Sequence, residues 1–268
     1  MRIGRIGYIN CAPVYGAIDR GIVRLPHGGQ LVTGTPVELN DLLAAGELSL
    51  SVISAIEYLR HSKDLVLLPE LAISCDGPVR SVALFSRHEA AKLDGKTILV
   101  SASSRTSVAL LELLCREVWK IHPKFAEARA EAQDLDALAT LPHEAVLVIG
   151  DAALALATRA TYGHRYDLGE EWKHWTGLPF VFAVWAATRA TSPAAMRDAH
   201  EALLRSRAWG LSHLDEISRD AARVTGLPVA TCREYFDGLD YAFSPKHLAG
   251  LNDFFRRTGA KDPFSQVA

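Results

Sequence analysis

Thr97-Ile98-Leu99-Val100-Ser101-Ala102-Ser103-Ser104-Arg105-Thr106-Ser107 is the stretch from which the rest of the chain is read. Thr97 to Val100 is a short apolar run of the kind buried inside a parallel sheet. From about Thr106 to Trp119 the apolar residues follow helical spacing. Between strand and helix, Ser101 to Ser107 carries hydroxyls at five of seven positions. One helix cap needs one hydroxyl, so the surplus points to a ligand. A helix N-terminus presents N–H groups and the positive end of its dipole, which suits an anion. Arg105 is expected to add a bidentate contact to a carboxylate. The glycines and the Gly-Lys-Ser/Thr ending of a phosphate loop are missing, so a carboxylate is expected rather than a triphosphate. The plainer alternative is a capped helix beside an exposed arginine.

Outward from this stretch, strands and helices alternate. Ile3 to Ile9 reads as a first strand, ending at Asn10-Cys11-Ala12-Pro13, where proline suits a first helical turn. Gln30 to Gly34 is a second strand. Thr35 caps a helix that Pro36 and Glu38 favour, and Gly46 stops it. Leu48 to Ile53 is a strand, and a helix follows from Ser54 to about His61. Val66 to Ile73 and Val79 to Phe85 are strand-like and flank a turn at Cys75-Asp76-Gly77-Pro78. A helix is expected within Glu127 to Leu141, a buried strand at Ala145 to Ile149, a helix from Gly150-Asp151, and a last strand at Phe180 to Ala187. Helical patterns fill the chain from Pro193 onward. The fold class predicted is α/β, with mainly parallel sheets.

A length of 268 residues fits two lobes. Without a linker-like segment, the crossings between lobes are expected near Phe85–Ser86 and Trp185–Thr188. That divides the chain into residues 1–86 with 188–268, and residues 87–187. Ligands of such sheets lie beyond the carboxyl ends of the strands, which adds Asn10 and Ser54 to the candidates. Ser81, inside an apolar strand, either bonds the backbone or faces the cleft. Asp151 reads as a structural cap. Trp172 to Phe180 either walls a flat ring or belongs to the core, and His174 is the candidate base there.

Hydrophobic residues make up 49 % and charged residues 22 %, at a net charge of −2. This is ordinary globular composition. No Lys/Arg run suggests a nucleic-acid partner. Cys11, Cys75, Cys115 and Cys232 are far apart, and no His-x-x-x-His occurs on a helical stretch, so no metal is expected. Met1 to Tyr8 enters a strand pattern without a signal-like apolar core. The longest apolar run, near Ala145 to Ala157, is broken by Asp151 and falls short of the roughly 18 residues a span needs. A cytoplasmic protein without membrane contact is expected.

Five motifs in order carry a family resemblance: Gly7-Tyr8-Ile9-Asn10-Cys11-Ala12-Pro13, Asp76-Gly77-Pro78-Val79-Arg80-Ser81, Ser103-Ser104-Arg105-Thr106-Ser107, Ile149-Gly150-Asp151-Ala152-Ala153-Leu154, and Trp172-Lys173-His174-Trp175-Thr176-Gly177-Leu178-Pro179-Phe180. The chain resembles the chorismate dehydratases of the futalosine route to menaquinone. The resemblance implies a type II periplasmic-binding-protein-like fold, with the ligand in a cleft between two lobes. It also implies conversion of chorismate to 3-(1-carboxyvinyloxy)benzoate and water, with no cofactor. Asn10 and Ser81 are expected against the substrate as the catalytic pair. Ser54, Ser103, Arg105, Thr106, Ser107, Thr176, Gly177 and Phe180 are the expected binding residues. Gly46-Glu47-Leu48-Ser49 departs from an expected Gly-Glu-Leu-Asp turn, away from any catalytic motif. Two rivals stand beside this reading. The synthase of 1,4-dihydroxy-6-naphthoate would be expected to end its first strand in a Cys-Pro-Asn-Asp type motif, which Asn10-Cys11-Ala12-Pro13 is not. A solute-binding receptor shares the fold, and fold alone does not decide function. A homodimer face and packing on the first lobe explain the apolar stripes after Pro193 equally well.

Overall fold

Apolar runs of five residues are too short for stable helices and become strands buried on both faces. A computed structural model describes residues 1–26 and 28–260. Its strands are β1 (Arg2–Ile6), β2 (Gln30–Gly34), β3 (Leu50–Ser54), β4 (Leu65–Cys75), β5 (Val82–Ser86), β6 (Thr97–Ser101), β7 (Lys124–Ala128), β8 (Ala145–Ile149), β9 (His164–Asp167) and β10 (Phe180–Thr188). Its α-helices are α1 (Ala12–Asp19), α2 (Pro36–Ala44), α3 (Ala55–Arg60), α4 (Arg105–Leu113), α5 (Leu135–Leu138), α6 (Gly150–Leu156), α7 (Leu168–Thr176), α8 (Pro193–Ser212), α9 (Leu214–Thr225), α10 (Val229–Asp237) and α11 (Pro245–Arg257).

The strands form two five-stranded sheets, ordered β2-β1-β3-β10-β4 and β7-β6-β8-β5-β9. Both follow one plan. β2, β1 and β3 are parallel, and β10 runs antiparallel to β3 and β4. β7, β6 and β8 are parallel, and β5 runs antiparallel to β8 and β9. Each sheet is the centre of one lobe. The sheets are therefore mixed, and the α/β, two-lobed expectation holds.

The expected lobe boundaries need correction. β5 pairs Val82 with Ile149 and Ala83 with Asp167, so the chain has already crossed before Val82. β10 pairs Ala183 with Ser54, so it has returned before Phe180. The crossings fall at residues 76–81 and 168–179, not near Phe85–Ser86 and Trp185–Thr188. Both strands are apolar except for a terminal Ser86 and Thr188, and such a run carries no information about which sheet will bury it.

Local signals work better. Thr35 and Glu38 form a reciprocal capping box on α2, with Pro36 in its first turn. Three smaller expectations change. The first strand stops at Ile6, and Ile9–Cys11 is a 3₁₀ turn leading into α1. The helix after Ser104 widens to a π turn at Leu114–Trp119 and ends at Lys120, whose φ is 54°. The segment read as a helix within Glu127 to Leu141 begins as the tail of edge strand β7 and keeps only short helical turns.

The helices after Pro193 brace the first lobe. α8 crosses α1 where a Cβ on Gly210 would overlap the Pro13 carbonyl. Glycine there lets the two backbones touch, and this seats the turn that carries Asn10. Trp172, Phe180 and Phe254 pack edge to face, with Phe180 5.2 Å from Trp172 and 4.9 Å from Phe254 between ring centres. Among the described residues no helix is long and apolar enough to cross a membrane.

Candidate active site

Strand ends from both lobes meet around a cavity of about 50 Å³. The first lobe contributes Ile6, Tyr8 and Asn10 after β1, Pro36, Ser54 at the end of β3, Ile73, Phe182 and Ala183. The second lobe contributes Val82, Ser104, Thr106, Ser107, Ile149 and Gly150, and Ser81 comes from the crossover. At roughly 10–15 Å³ per water, this is room for a few waters. The lobes must part to admit a larger ligand. Several contacts hold them together. Tyr8 Oη donates to the Glu131 carboxylate at 3.0 Å, the Ile9 N–H to Asp151 at 3.1 Å, and the Ile56 N–H to Thr106 Oγ1 at 3.1 Å.

Among the described residues, the cavity lining has no charged side chain. Its polar groups are amide, hydroxyl and backbone. Asn10 Oδ1 is buried and has no hydrogen-bond partner among the described residues. A buried acceptor without a partner costs about 1–3 kcal/mol, and a donor on a ligand would recover it. The Ser81 Oγ accepts from Tyr235 Oη at 2.8 Å. That leaves the serine's own proton to be donated into the cavity. Burial pushes the Tyr235 hydroxyl well above its ordinary pKa, so it stays a donor. Ser54 is fixed by Asn40 on α2, whose Oδ1 accepts the Ser54 N–H at 3.1 Å while its amide donates to Ser54 Oγ at 3.2 Å.

The N-terminus of α4 supplies the third group. Ser104 caps it, accepting the Ser107 N–H at 3.3 Å and donating to Ser107 Oγ at 2.8 Å. Early N–H groups of a helix have no partner within the helix, and here they border the cavity. Gly150 opens α6 at φ 61°, and a Cβ there would stand 2.9 Å from the Tyr8 ring. Only glycine serves both the positive φ and the close approach.

The expected site residues divide sharply. Asn10, Ser54, Ser81, Thr106 and Ser107 line the cavity together. Ser81 lies just ahead of β5 rather than inside a strand. Ser103 stands one step back, donating to Glu131 at 2.8 Å beside Tyr8. Arg105 is not in the cavity. It reaches outward across the lobes, 2.6 Å from buried Glu57 and 3.2 Å from Asp41. Successive helical residues are about 100° apart: Thr106 and Ser107 straddle the cavity side of α4, and Arg105, a further 100° back, falls on the side that faces Glu57 and Asp41. Thr176 donates to the Trp172 carbonyl at 2.9 Å and accepts the Leu178 N–H at 3.1 Å, a C-terminal closure of α7. Gly177 takes the left-handed cap at φ 72°, and Phe180 is in the aromatic core. None of the three lines the cavity. His174 is exposed in the last turn of α7.

Tyr8, Asn40, Glu131, Asp151, Asp167 and Tyr235, to which the sequence reading gave no site role, line the cavity or hold residues at its edge. Burial lifts the Asp151 carboxyl from 3.8 to about 6, against the pull of the Ile9 N–H it accepts and with Glu131 adding to the rise. Tyr235 gave no signal: it comes from α10, some 150 positions after its partner Ser81. Among the described residues no group of three His, Cys, Asp or Glu could hold a metal ion.

Comparisons with known proteins give the family and the fold. The chain is 32% identical to a chorismate dehydratase of Thermus thermophilus, over 99% of this chain and 97% of that protein. A solved structure from Archaeoglobus fulgidus superposes with a TM-score of 0.79 at 20% identity, over 97% of both chains. The aliphatic sulphonate binding protein of Escherichia coli, a periplasmic binding protein, gives 0.67 at 17% identity, over 99% of this chain and 96% of that one. The alkanesulfonate-binding protein of Xanthomonas axonopodis gives 0.69 at 16% identity, over 96% and 92%. These last three share the fold, which is that of the periplasmic binding proteins. The family model described as menaquinone biosynthesis matches residues 1–260, and the chain belongs to that family.

Proposed function

We propose that this protein is a chorismate dehydratase, a hydro-lyase that converts chorismate to 3-(1-carboxyvinyloxy)benzoate and water. The observation that carries the proposal is the pairing of Asn10 and Ser81 in an otherwise uncharged cavity, one an acceptor without a partner and the other a hydroxyl with a proton to give. The relative from Thermus thermophilus supports the same substrate. Chorismate is a dianion bearing a ring hydroxyl and an enolpyruvyl ether. Loss of a ring proton and that hydroxyl leaves an aromatic ring, so the overall reaction is strongly downhill. The protein has to hold the reactive conformer, anchor two carboxylates and assist a poor leaving group.

Roles follow from the atoms. The α4 N-terminus with Thr106 and Ser107 takes one carboxylate through N–H and hydroxyl donors, and Ser104 holds Ser107 in place behind them. Asn10 Oδ1 accepts from the substrate hydroxyl. Ser81, held by Tyr235, donates to the same oxygen as its bond to carbon breaks. The ring proton goes to the enolpyruvyl carboxylate of the substrate itself, since among the described residues the cavity lining offers no general base, and passes from there to the departing hydroxide, so that water leaves, both product carboxylates are ionised and Ser81 keeps its proton. Asn10 and Ser81 are the catalytic residues on this reading.

The test is to incubate purified protein with chorismate and follow the product by mass. Loss of one water at a rate above the buffer control, sharply reduced by Asn10→Ala and by Ser81→Ala, is the expected result. Tight binding with chorismate unchanged would make the protein a solute binder. Wild-type turnover in both variants, with loss in His174→Ala, would refute the residue assignment.

A further inference from the structure

One buried carboxylate governs the crossover that delivers Ser81. Asp167, the last residue of β9, accepts four backbone N–H groups: Val79 at 2.9 Å, Gly169 at 3.0 Å and Glu170 at 3.2 Å on Oδ1, and Arg80 at 2.6 Å on Oδ2. The bonds from Gly169 and Glu170 cap α7, which is ordinary work for an aspartate. The bonds from Val79 and Arg80 have no such local purpose. They tie the end of β9 to the crossover.

The tied segment is strained. Arg80 has φ 62°, in the left-handed region that side chains other than glycine enter at a cost. The Ser81 N–H turns back to the Val79 carbonyl at 2.7 Å. Val79, Arg80 and Ser81 therefore form a γ-turn with a positive φ at its centre, the rarer and strained kind. Directly after it, the Ser81 carbonyl accepts the Gly150 N–H at 2.7 Å, and Ser81 Oγ meets Tyr235. Such a turn persists only where its surroundings over-determine it. Arg165 adds one bond to the Arg80 carbonyl at 2.9 Å, but both N–H groups leading into the turn are held by Asp167.

We propose that Asp167 is a positioning residue for Ser81, its carboxylate holding the Arg80 γ-turn and thereby fixing where the serine hydroxyl meets the substrate. This rests on the reading that Ser81 contacts substrate. If the turn relaxes to negative φ, the Ser81 peptide rotates and its hydroxyl leaves the line between Tyr235 and the cavity. The cost then falls on kcat more than on KM, because the carboxylate anchors on α4 are untouched.

Two independent sets of variants test this. Asp167→Asn keeps one carbonyl oxygen for Val79 and for the α7 cap, and loses the acceptor at the Arg80 N–H. Its kcat for chorismate is expected to fall roughly tenfold with KM within about twofold, the equivalent of strain released at one left-handed residue. Arg80→Gly and Arg80→Val both remove the guanidinium and differ in what they allow at φ 62°. Glycine adopts it freely, while a β-branched residue resists it. Arg80→Gly is expected to exceed Arg80→Val in kcat by roughly tenfold, and to restore most of the loss when combined with Asp167→Asn. Equal kcat in the two Arg80 variants overturns the proposal, and so does wild-type kcat in folded Asp167→Asn. If Asp167→Asn does not fold, the Arg80 pair decides alone. Ser81→Ala is measured alongside. Loss of turnover there, with the other variants unaffected, overturns only the positioning role. Full turnover in Ser81→Ala overturns the reading of Ser81 and the positioning role with it.

Discussion

Replacing Tyr235 with phenylalanine removes one oxygen from the interior and isolates what that oxygen does for Ser81. The bond is 2.8 Å long, and both residues are almost wholly buried, at 1% and 3% exposure. A buried hydrogen bond contributes about 1 kcal/mol net. Ser81 borders the cavity, so water can occupy the vacated lone pair and keep the loss near that value. For a chain of this length, about 1 kcal/mol corresponds to roughly 2–4 °C in melting midpoint. Activity should suffer more than stability suggests. While Tyr235 donates to it, the serine proton cannot point toward α10 and is confined to the cavity side. Without Tyr235 the third staggered well opens beside the two on the cavity side, a dilution of roughly 1.5-fold. Loss of the polarising bond lowers the donor strength further, for a total of about three- to tenfold in kcat.

The assay is steady-state turnover of chorismate by wild type, Tyr235→Phe, Ser81→Ala and the double variant, with a melting curve for each. Once Ser81 is gone, Tyr235 has nothing to orient. The double variant should therefore turn over no more slowly than Ser81→Ala. A double variant about tenfold below Ser81→Ala would show Tyr235 acting on its own account. Wild-type kcat in Tyr235→Phe would show that the serine hydroxyl needs no orientation from behind. Either result refutes the argument.

Two further outcomes are expected. The folded Asp151 carboxyl, raised to about 6, binds its proton more tightly than the unfolded one, so its contribution favours folding below about pH 4 and is lost as pH rises through about 6, a change on the order of 3 kcal/mol. Asp151→Asn keeps an acceptor for the Ile9 N–H and should raise the melting midpoint at pH 8 but not at pH 4; an equal gain at both pH values would refute burial as the cause. Arg105→Ala breaks a clasp between lobes rather than a carboxylate anchor, so the melting midpoint should fall by a few degrees with KM for chorismate within about fivefold, whereas loss of a buried anchor costs about 2–5 kcal/mol and a KM rise above about 30-fold at an unchanged midpoint would refute the clasp.

The parts of the fold legible in the sequence were those with local causes. Thr35-Pro36 and Glu38 announce α2 because a capping box is made by neighbours. Ala145 to Ile149 reads as a buried strand from its shortness and its branched residues. Sheet membership was not legible, because the partners of Val82 and Ala183 lie far along the chain and any apolar strand would suit them. The site follows the same division. The hydroxyl surplus of Ser101 to Ser107 marks the α4 terminus because several hydroxyls within one turn exceed what a cap uses. Arg105 misled because composition cannot say which way a helix face points, and its partners Glu57 and Asp41 come from the other lobe. Thr176, Gly177 and Phe180 belong to a motif, but the motif is a helix end and a core aromatic. Tyr235 and Asp167 act on Ser81 through the fold alone.

An uncharged cavity is a reasonable place to dehydrate a dianion. On the proposed reaction, substrate and product differ by one water and carry the same two carboxylates. A buried arginine on a carboxylate would bind both tightly and equally, and such uniform binding does not raise kcat. N–H and hydroxyl donors hold the charge more weakly and release the product more readily. Discrimination then rests with the groups that meet the one oxygen that leaves. Asn10 and Ser81 are those groups, and each is set by contacts the substrate does not share: the Pro13 turn under Gly210 for Asn10, and Tyr235 with the Asp167-held turn for Ser81. On that proposal the protein places its strain and its long-range hydrogen bonds behind the leaving hydroxyl, where binding differs between ground state and transition state, and uses ordinary helix-terminal donors where it does not.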